Sequence, residues 1–231
     1  MNVHFKPVES RRLYQQIADQ IRELIQAGVF EVGARLPAER DLAQQLGVSR
    51  PSLREALIAL DVEGNVEIRS GSGVYVCQQP EPQAPRATPA LGESPRELMQ
   101  ARAAVESAVV IMACSQGTEV QRKRLREVLK KMQSETARRK PPVDIDRQFH
   151  LTLAEMTGNA VMVRIVAELF DERYSPIFAK LTLRYENSRT WSAALREHEA
   201  IVRAVEARDP LAAQAAMLSH LKASELRWIG E

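Results

Sequence analysis

Apolar positions in the first third of the chain fall at helical spacing in three short runs. From Leu13 to Ala27, Ile17, Ile21 and the Leu24-Ile25 pair recur every three or four residues, and Gly28 stands where a helix would close. Gly33 and the Leu36-Pro37 pair mark an extended link, because a residue before proline is driven out of the α region. A second helix is predicted over 38–46, with Leu42 and Leu46 on its buried side and Gly47 as its stop. Ser49 is a good N-cap for a third helix. Pro51 fits the first turn, whose amides lack intrahelical partners. Leu53, Leu57 and Leu60 then face inward, and Gly64 ends the run. At Val66 and Ile68, and again at Val74 and Val76, the period switches to two around Ser70-Gly71-Ser72-Gly73, which predicts a β-hairpin with a glycine-rich tip. Three helices and a hairpin make a winged helix-turn-helix.

From Gln78 to Pro95 the hydrophobic period disappears and five prolines crowd together. Such a segment is extended and semi-rigid and builds no core. Beyond it the pattern is helical throughout, with runs near 94–116, 118–138, 143–157, 159–183, 189–207 and 210–228. Gly117, Pro141-Pro142, Gly158-Asn159 and Asp209-Pro210 punctuate them. Six long helices with short connections are expected to pack as antiparallel neighbours. The predicted fold class is mainly α: a winged helix-turn-helix over 1–77, a proline-rich linker over 78–94 and an all-helical bundle over 95–231.

Charge changes this picture little. Lysine and arginine number 32 against 30 aspartate and glutamate, a net of +2, and residues 1–80 are close to balanced. Any surface that faces nucleic acid must come from placement, not from excess. Neither a leader-like apolar run at the N-terminus nor a stretch of roughly 20 apolar residues is evident. Cys77 and Cys114 show no CxxC spacing and fit a reducing compartment. A cytoplasmic protein with no membrane partner is expected.

Placement is informative in the first module. Arg50 and Arg54 lie four apart on the third helix and share a face. An arginine opening a recognition helix can grip guanine O6 and N7 with both arms. Ser49 and the free amides behind it can hold phosphate. Arg35 and Arg40 flank the second helix, the element that crosses the DNA backbone. Gly71 and Gly73, with Arg69 beside them, can enter the minor groove. The competing reading is of solvated surface charges, with pairing to Glu39 or Glu55.

Histidine placement is informative in the second module. Asp146 and His150 are one turn apart on one helix. His198 and His220 lie on either side of the turn near Asp209, each roughly 16 Å from it at 1.5 Å per residue, and so at one level across a hairpin. Three inward imidazoles and a carboxylate suit a first-row metal. The ligand set fits zinc, nickel, copper and iron alike; histidines separately satisfied in a core are the alternative. Arg102 is placed either to hold the carboxylate of a small ligand or to pair with Glu106 one turn on. Arg164, Arg173 and Arg184 have no evident role. A metal-dependent hydrolase and a sensor of the metal itself are the rival functions, the former without HExxH or an additional acid or base at the motif.

These residues resemble a known family. LPAERDLAQQLGVSRPSLREAL and VEIRSGSGVYV look like the winged helix of GntR-type bacterial transcription regulators, with Ala38 at a position often held by serine. From about Pro95 to Arg227 the chain resembles the FCD effector domain, through ARAAVESAVVIMA, DRQFHLTLAEMTGN and the set Asp146, His150, His198 and His220. The resemblance implies DNA contacts from Arg35, Arg40, Ser49, Arg50, Arg54 and Gly71. It implies a homodimer on a palindromic operator, most often as a repressor. It also implies a divalent transition metal, zinc or nickel foremost, held by the Asp/His set, with a small organic acid at or near it. Six helices in the second module point to the vanillate-regulator-like branch.

Overall fold

A computed structural model describes residues 12–69, 71–78 and 92–229, and the chain divides into two compact units, Met1–Pro89 and Ala90–Glu231. The stretch expected as a linker lies almost wholly outside the described residues, as does Ser70 at the hairpin tip.

In the first unit, α1 (Leu13–Gln26) packs on α3 (Arg50–Val62), with α2 (Glu39–Leu46) against α3. Tyr14, Ile17, Ile21, Leu53, Leu57 and Leu60 are buried between them. Burying an aliphatic side chain of this size contributes about 1.5–3 kcal/mol, so this small core holds three short helices that would be marginal alone. Gly47 closes α2 in the left-handed region at φ 65°. Ser49 caps α3 by accepting from the Ser52 amide at 3.2 Å, whereas Ala38 gives α2 no side-chain cap. Strands β1 (Val66–Arg69) and β2 (Gly73–Val76) pair antiparallel, Val66 with Val76 and Ile68 with Val74. The extended link before α2 lies along the outer edge of β2, through Leu36 N–H to Val74 O at 2.8 Å and Val76 N–H to Ala34 O at 2.9 Å. The wing is thereby stitched to the helix-turn-helix.

Among the described residues the second unit has seven α-helices, not six: α4 (Pro95–Gln116), α5 (Glu119–Ala137), α6 (Val143–Glu155), α7 (Ala160–Asp171), α8 (Pro176–Tyr185), α9 (Ser188–Glu206) and α10 (Pro210–Ile229). The run expected over 159–183 breaks at a 3-10 turn, Glu172–Tyr174. Pro176 has no N–H to continue the helix and holds Ser175 extended at ψ 153°. The helix count therefore gives no support to the vanillate-regulator-like branch. The other boundaries follow polar caps: Ser94, Thr118, Asn159 and Asn187 each accept from first-turn amides.

Helix α4 is the central element, packed along α10 and touched by α6, α7 and α9. It is long and apolar enough to cross a membrane by length and composition alone. Its middle nevertheless carries Arg102 and Glu106, both buried. These two charges interrupt the apolar run and mark α4 as a core helix built around a polar site. Phe149, Phe170, Phe178 and Ile201 on other helices are fully buried, as is Val110 on α4 itself.

Candidate metal centre and nucleic-acid interface

The centre is set by where three helices aim their polar residues. Helix α6 presents Asp146 and His150, α9 presents His198 and α10 presents His220. All four are buried, and one ligand atom from each lies within 4.8 Å of every other. The rings of His198 and His220 are 4.3 Å apart between centroids, and that of His150 is 5.5 Å from His220. The two registers across the α9–α10 hairpin thus meet at one level, as their distances from the turn predict.

Each imidazole is oriented from behind. His150 Nδ1 meets Glu106 Oε2 on α4, His198 Nδ1 meets Ala194 O at 2.7 Å, and His220 Nδ1 meets Glu197 Oε2 at 2.9 Å. All three partners only accept, so each Nδ1 donates, and in a neutral ring Nε2 is left with the lone pair. His150 Nε2, His198 Nε2 and Asp146 Oδ1 are buried without a hydrogen-bond partner. His198 Nε2 does approach Asp146 Oδ1 to 2.9 Å, but not in hydrogen-bonding geometry. Converging buried acceptors with no donor are costly unless a cation sits among them. Histidines backed by a carboxylate or carbonyl at the far nitrogen are how proteins prepare metal ligands. The residues present therefore fit a divalent transition metal.

Around these four lies a shell of fixed charge. Arg173, on the 3-10 turn, donates to Asp146 Oδ2 at 2.6 Å and to Glu186 Oε1 at 2.7 Å. Its guanidinium lies over Phe170 and Trp228, at 5.2 and 4.9 Å. Arg102 donates through Nε to Glu106 Oε1 at 2.7 Å, leaving Nη2 buried and unpaired. The expected pairing with Glu106 is present: one edge of the fork is spent on it and the other is unspent. Arg227 grips Glu197 with both arms, at 2.7 and 3.0 Å.

Burial alone would push Glu106 up, but Arg102 and His150 outweigh it and bring it down to about 2. Burial likewise opposes ionisation of Asp146, which His198, His150 and Arg173 hold well below the carboxylate range. Burial, and then the neighbouring His198, push His220 down to about 3, so its ring is neutral at ordinary pH. Burial raises Glu186 despite Arg173. A cavity of about 30 Å³ opens beside this shell, lined by Arg102, Asp146, Arg173, Glu186, Trp191 and His220 among others. That is room for about one or two waters.

Of the sequence-expected residues, Asp146, His150, His198 and His220 come together, and Arg102 borders the same cavity. Arg173, Glu186, Glu197 and Arg227 had been given no part. Arg227 did carry a signal, seven residues and two turns after His220 on one face. Arg173 and Glu186 carried none, since the break at Ser175-Pro176 places them.

In the first unit, Ser49 and Arg50 are exposed at the start of α3. Arg40 is exposed and pairs with its neighbour Asp41, at 3.1 Å. Arg54 instead ties α3 to α2, donating to Glu39 Oε2 at 2.8 Å, with its side chain 18% exposed. Arg35 is exposed and lies over Gly73, where an added Cβ would sit 2.5 Å from Arg35 Nε. Gly71 is exposed at φ 71° with open space about it. Arg69 stacks on Tyr75 at 4.4 Å and pairs with Glu67 at 2.7 Å.

Comparison with known proteins agrees with both halves of this geometry. Residues 13–76 match the bacterial regulatory proteins of the gntR family, and residues 97–223 match the FCD domain. The Exu regulon transcriptional regulator of Escherichia coli (strain K12) is 37% identical over 227 residues, covering 96% of this chain and 87% of its own. The Uxu operon regulator of Haemophilus influenzae is 32% identical over 212 residues, covering 91% and 80%. The solved structure of Streptococcus agalactiae GntR, 26% identical, covers 92% of this chain and 98% of its own at a TM-score of 0.50. An exposed cap-and-arginine start to α3, a buried Asp/His cluster and relatives matched nearly end to end give one answer: the chain is a DNA-binding transcriptional regulator, not an enzyme, and belongs to the gntR family with a C-terminal FCD domain.

Proposed function

We propose that this regulator is a repressor released from its operator by a small organic acid, bound beside a divalent transition metal in the second unit. One observation carries the reading. Partnerless imidazole nitrogens and a carboxylate oxygen converge next to an unspent arginine donor, inside a single buried shell. His150, His198, His220 and Asp146 would hold the ion, zinc or nickel by ligand type. When bound, the ion supplies a Lewis-acidic charge for a carboxylate oxygen. Arg102 Nη2 is the protein's own donor for that carboxylate, and Glu106 keeps its plane fixed. Since the cavity is now only water-sized, an acid must widen it, which couples binding to helix packing.

At the other end, Arg50 reads a base edge while Ser49, Arg35 and Arg40 hold the phosphate backbone, with Gly71 at the minor groove. Arg54 acts chiefly by bracing α3 against α2. A homodimer on a two-fold operator in the cytoplasm is the matching assembly. Untagged protein should contain stoichiometric zinc or nickel by elemental analysis. A saturating acid should raise its melting temperature by several degrees, following the roughly 2.7 kcal/mol expected at a hundredfold excess over Kd. The same acid should lower operator affinity in a fluorescence-anisotropy titration. Untagged protein that purifies without stoichiometric metal, or metal-loaded protein whose operator affinity is indifferent to every acid, would refute the proposal.

A further inference from the structure

We propose that Glu186 selects the effector: it takes a hydroxyl of a hydroxylated monocarboxylic acid and turns away a second carboxylate. This rests on the reading of the cavity as the effector site. Glu186 follows directly on α8, and its side chain is only 7% exposed. Arg173 Nη2 fixes Oε1 at 2.7 Å, while Oε2 is buried and makes no well-formed hydrogen bond, with the Trp228 indole beside the carboxylate. A buried carboxylate oxygen needs a donor. A hydroxyl supplies one; a carboxylate cannot, and a methylene leaves the oxygen bare.

Other unspent groups of the cavity agree. Trp191 Nε1 and Arg173 Nε are buried donors without partners. Ser224 Oγ accepts from Arg227 Nη2 at 2.7 Å and still has its own proton to give. The wall thus offers an acceptor and several donors, the complement of an alcohol, which is both donor and acceptor.

Charge points the same way. Four carboxylates, Asp146, Glu106, Glu186 and Glu197, interlock with three guanidiniums, Arg102, Arg173 and Arg227. A divalent ion among the histidines turns that excess of one negative charge into one positive charge. A monoanion neutralises it. A dianion overshoots and must set its second carboxylate in a wall that holds Glu186.

The test uses zinc-loaded full-length protein and isothermal titration with four carbon-matched salts: butyrate, threonate, succinate and tartrate. Threonate should bind most tightly, with butyrate and tartrate each at least about tenfold weaker, the scale of one charged hydrogen bond or of a misplaced charge. Glu186→Gln keeps the shape and an acceptor oxygen but removes the charge. It should bring tartrate within about threefold of threonate while preserving the preference for threonate over butyrate. Wild-type protein that binds tartrate or butyrate as tightly as threonate overturns the proposal, and this comparison stands even if the variant does not fold. A folded Glu186→Gln protein that still rejects tartrate tenfold overturns it as well. Failure of all four acids to bind, with zinc or without, overturns the effector reading itself; binding without hydroxyl preference overturns only the role of Glu186.

Discussion

Glu106→Gln should destabilise the second unit in a pH-dependent way. Glu106 is 1% exposed and receives both Arg102 Nε and His150 Nδ1. Its carboxyl titrates near 2 in the fold against 4.5 for a free glutamate. At 1.36 kcal/mol per unit, the difference is worth about 3 kcal/mol of folding free energy. That agrees with the 3–5 kcal/mol typical of removing one partner from a buried ion pair, since Arg102 would lose its anion. The folded carboxyl resists protonation more than the unfolded one does. Its contribution is therefore complete above about pH 4.5 and is lost as pH falls through about 2. At pH 7 the variant should melt roughly 10 °C lower. By pH 3 the gap should shrink to less than about half. His220 adds a separate loss: it is neutral in the fold, with its pKa near 3, so apo-protein stability declines as pH drops below the 6.5 of free histidine. That loss is shared by both proteins and cancels in the comparison. Thermal and urea unfolding of chelator-treated protein from pH 7 to 3 provides the assay. A variant within 2 °C of wild type at pH 7, or a gap as wide at pH 3 as at pH 7, would refute the reasoning.

Three further outcomes are expected. Gly73→Ala should cost the first unit about 1–3 kcal/mol in urea unfolding, because φ is 125°, while the exposed Arg35 side chain that the new Cβ meets can swing aside; Gly71→Ala, at φ 71° with open space around it, should cost less. His198→Ala with His220→Ala should abolish bound metal by elemental analysis and blunt the acid response while sparing basal operator binding; retention of full metal content would contradict the ligand assignment. Arg50→Ala should weaken operator binding by about 1–3 kcal/mol and relax one base preference per half-site, and an unchanged preference at intact affinity would make Arg50 an ordinary surface charge.

Much of the fold was legible because its signals are local. Caps at Ser49, Ser94, Thr118, Asn159 and Asn187 and the glycine after α2 place most boundaries within a residue or two. The Asp/His cluster was legible because Asp146 and His150 share a helical face and the other two histidines share a level across one turn. The break at Ser175-Pro176 was written in the chain, but the apolar period runs up to it from both sides and masks it. What could not be read is the shell of partners. Glu106 meets His150, Glu186 meets Arg173 and Glu197 meets His220 across different elements, and only tertiary packing brings these together; the Arg102–Glu106 pair, one turn apart on α4, is the legible exception. At Arg54 the sequence offered two readings, a DNA face shared with Arg50 and a pair with Glu39, and the fold makes the second contact, fifteen residues apart.

The single turn between α7 and α8 has a mechanical consequence. Arg173 projects from that turn, so the angle between the two helices aims it. Its head is clamped by Asp146 and Glu186 and flanked by two rings. A few degrees of bend would draw the guanidinium off one carboxylate or the other, since hydrogen bonds tolerate only tenths of an ångström. If the cavity takes an effector as proposed, the helix pair would act as a protractor: the occupant would set that angle, and hydrogen exchange at 172–175 is where it would be read.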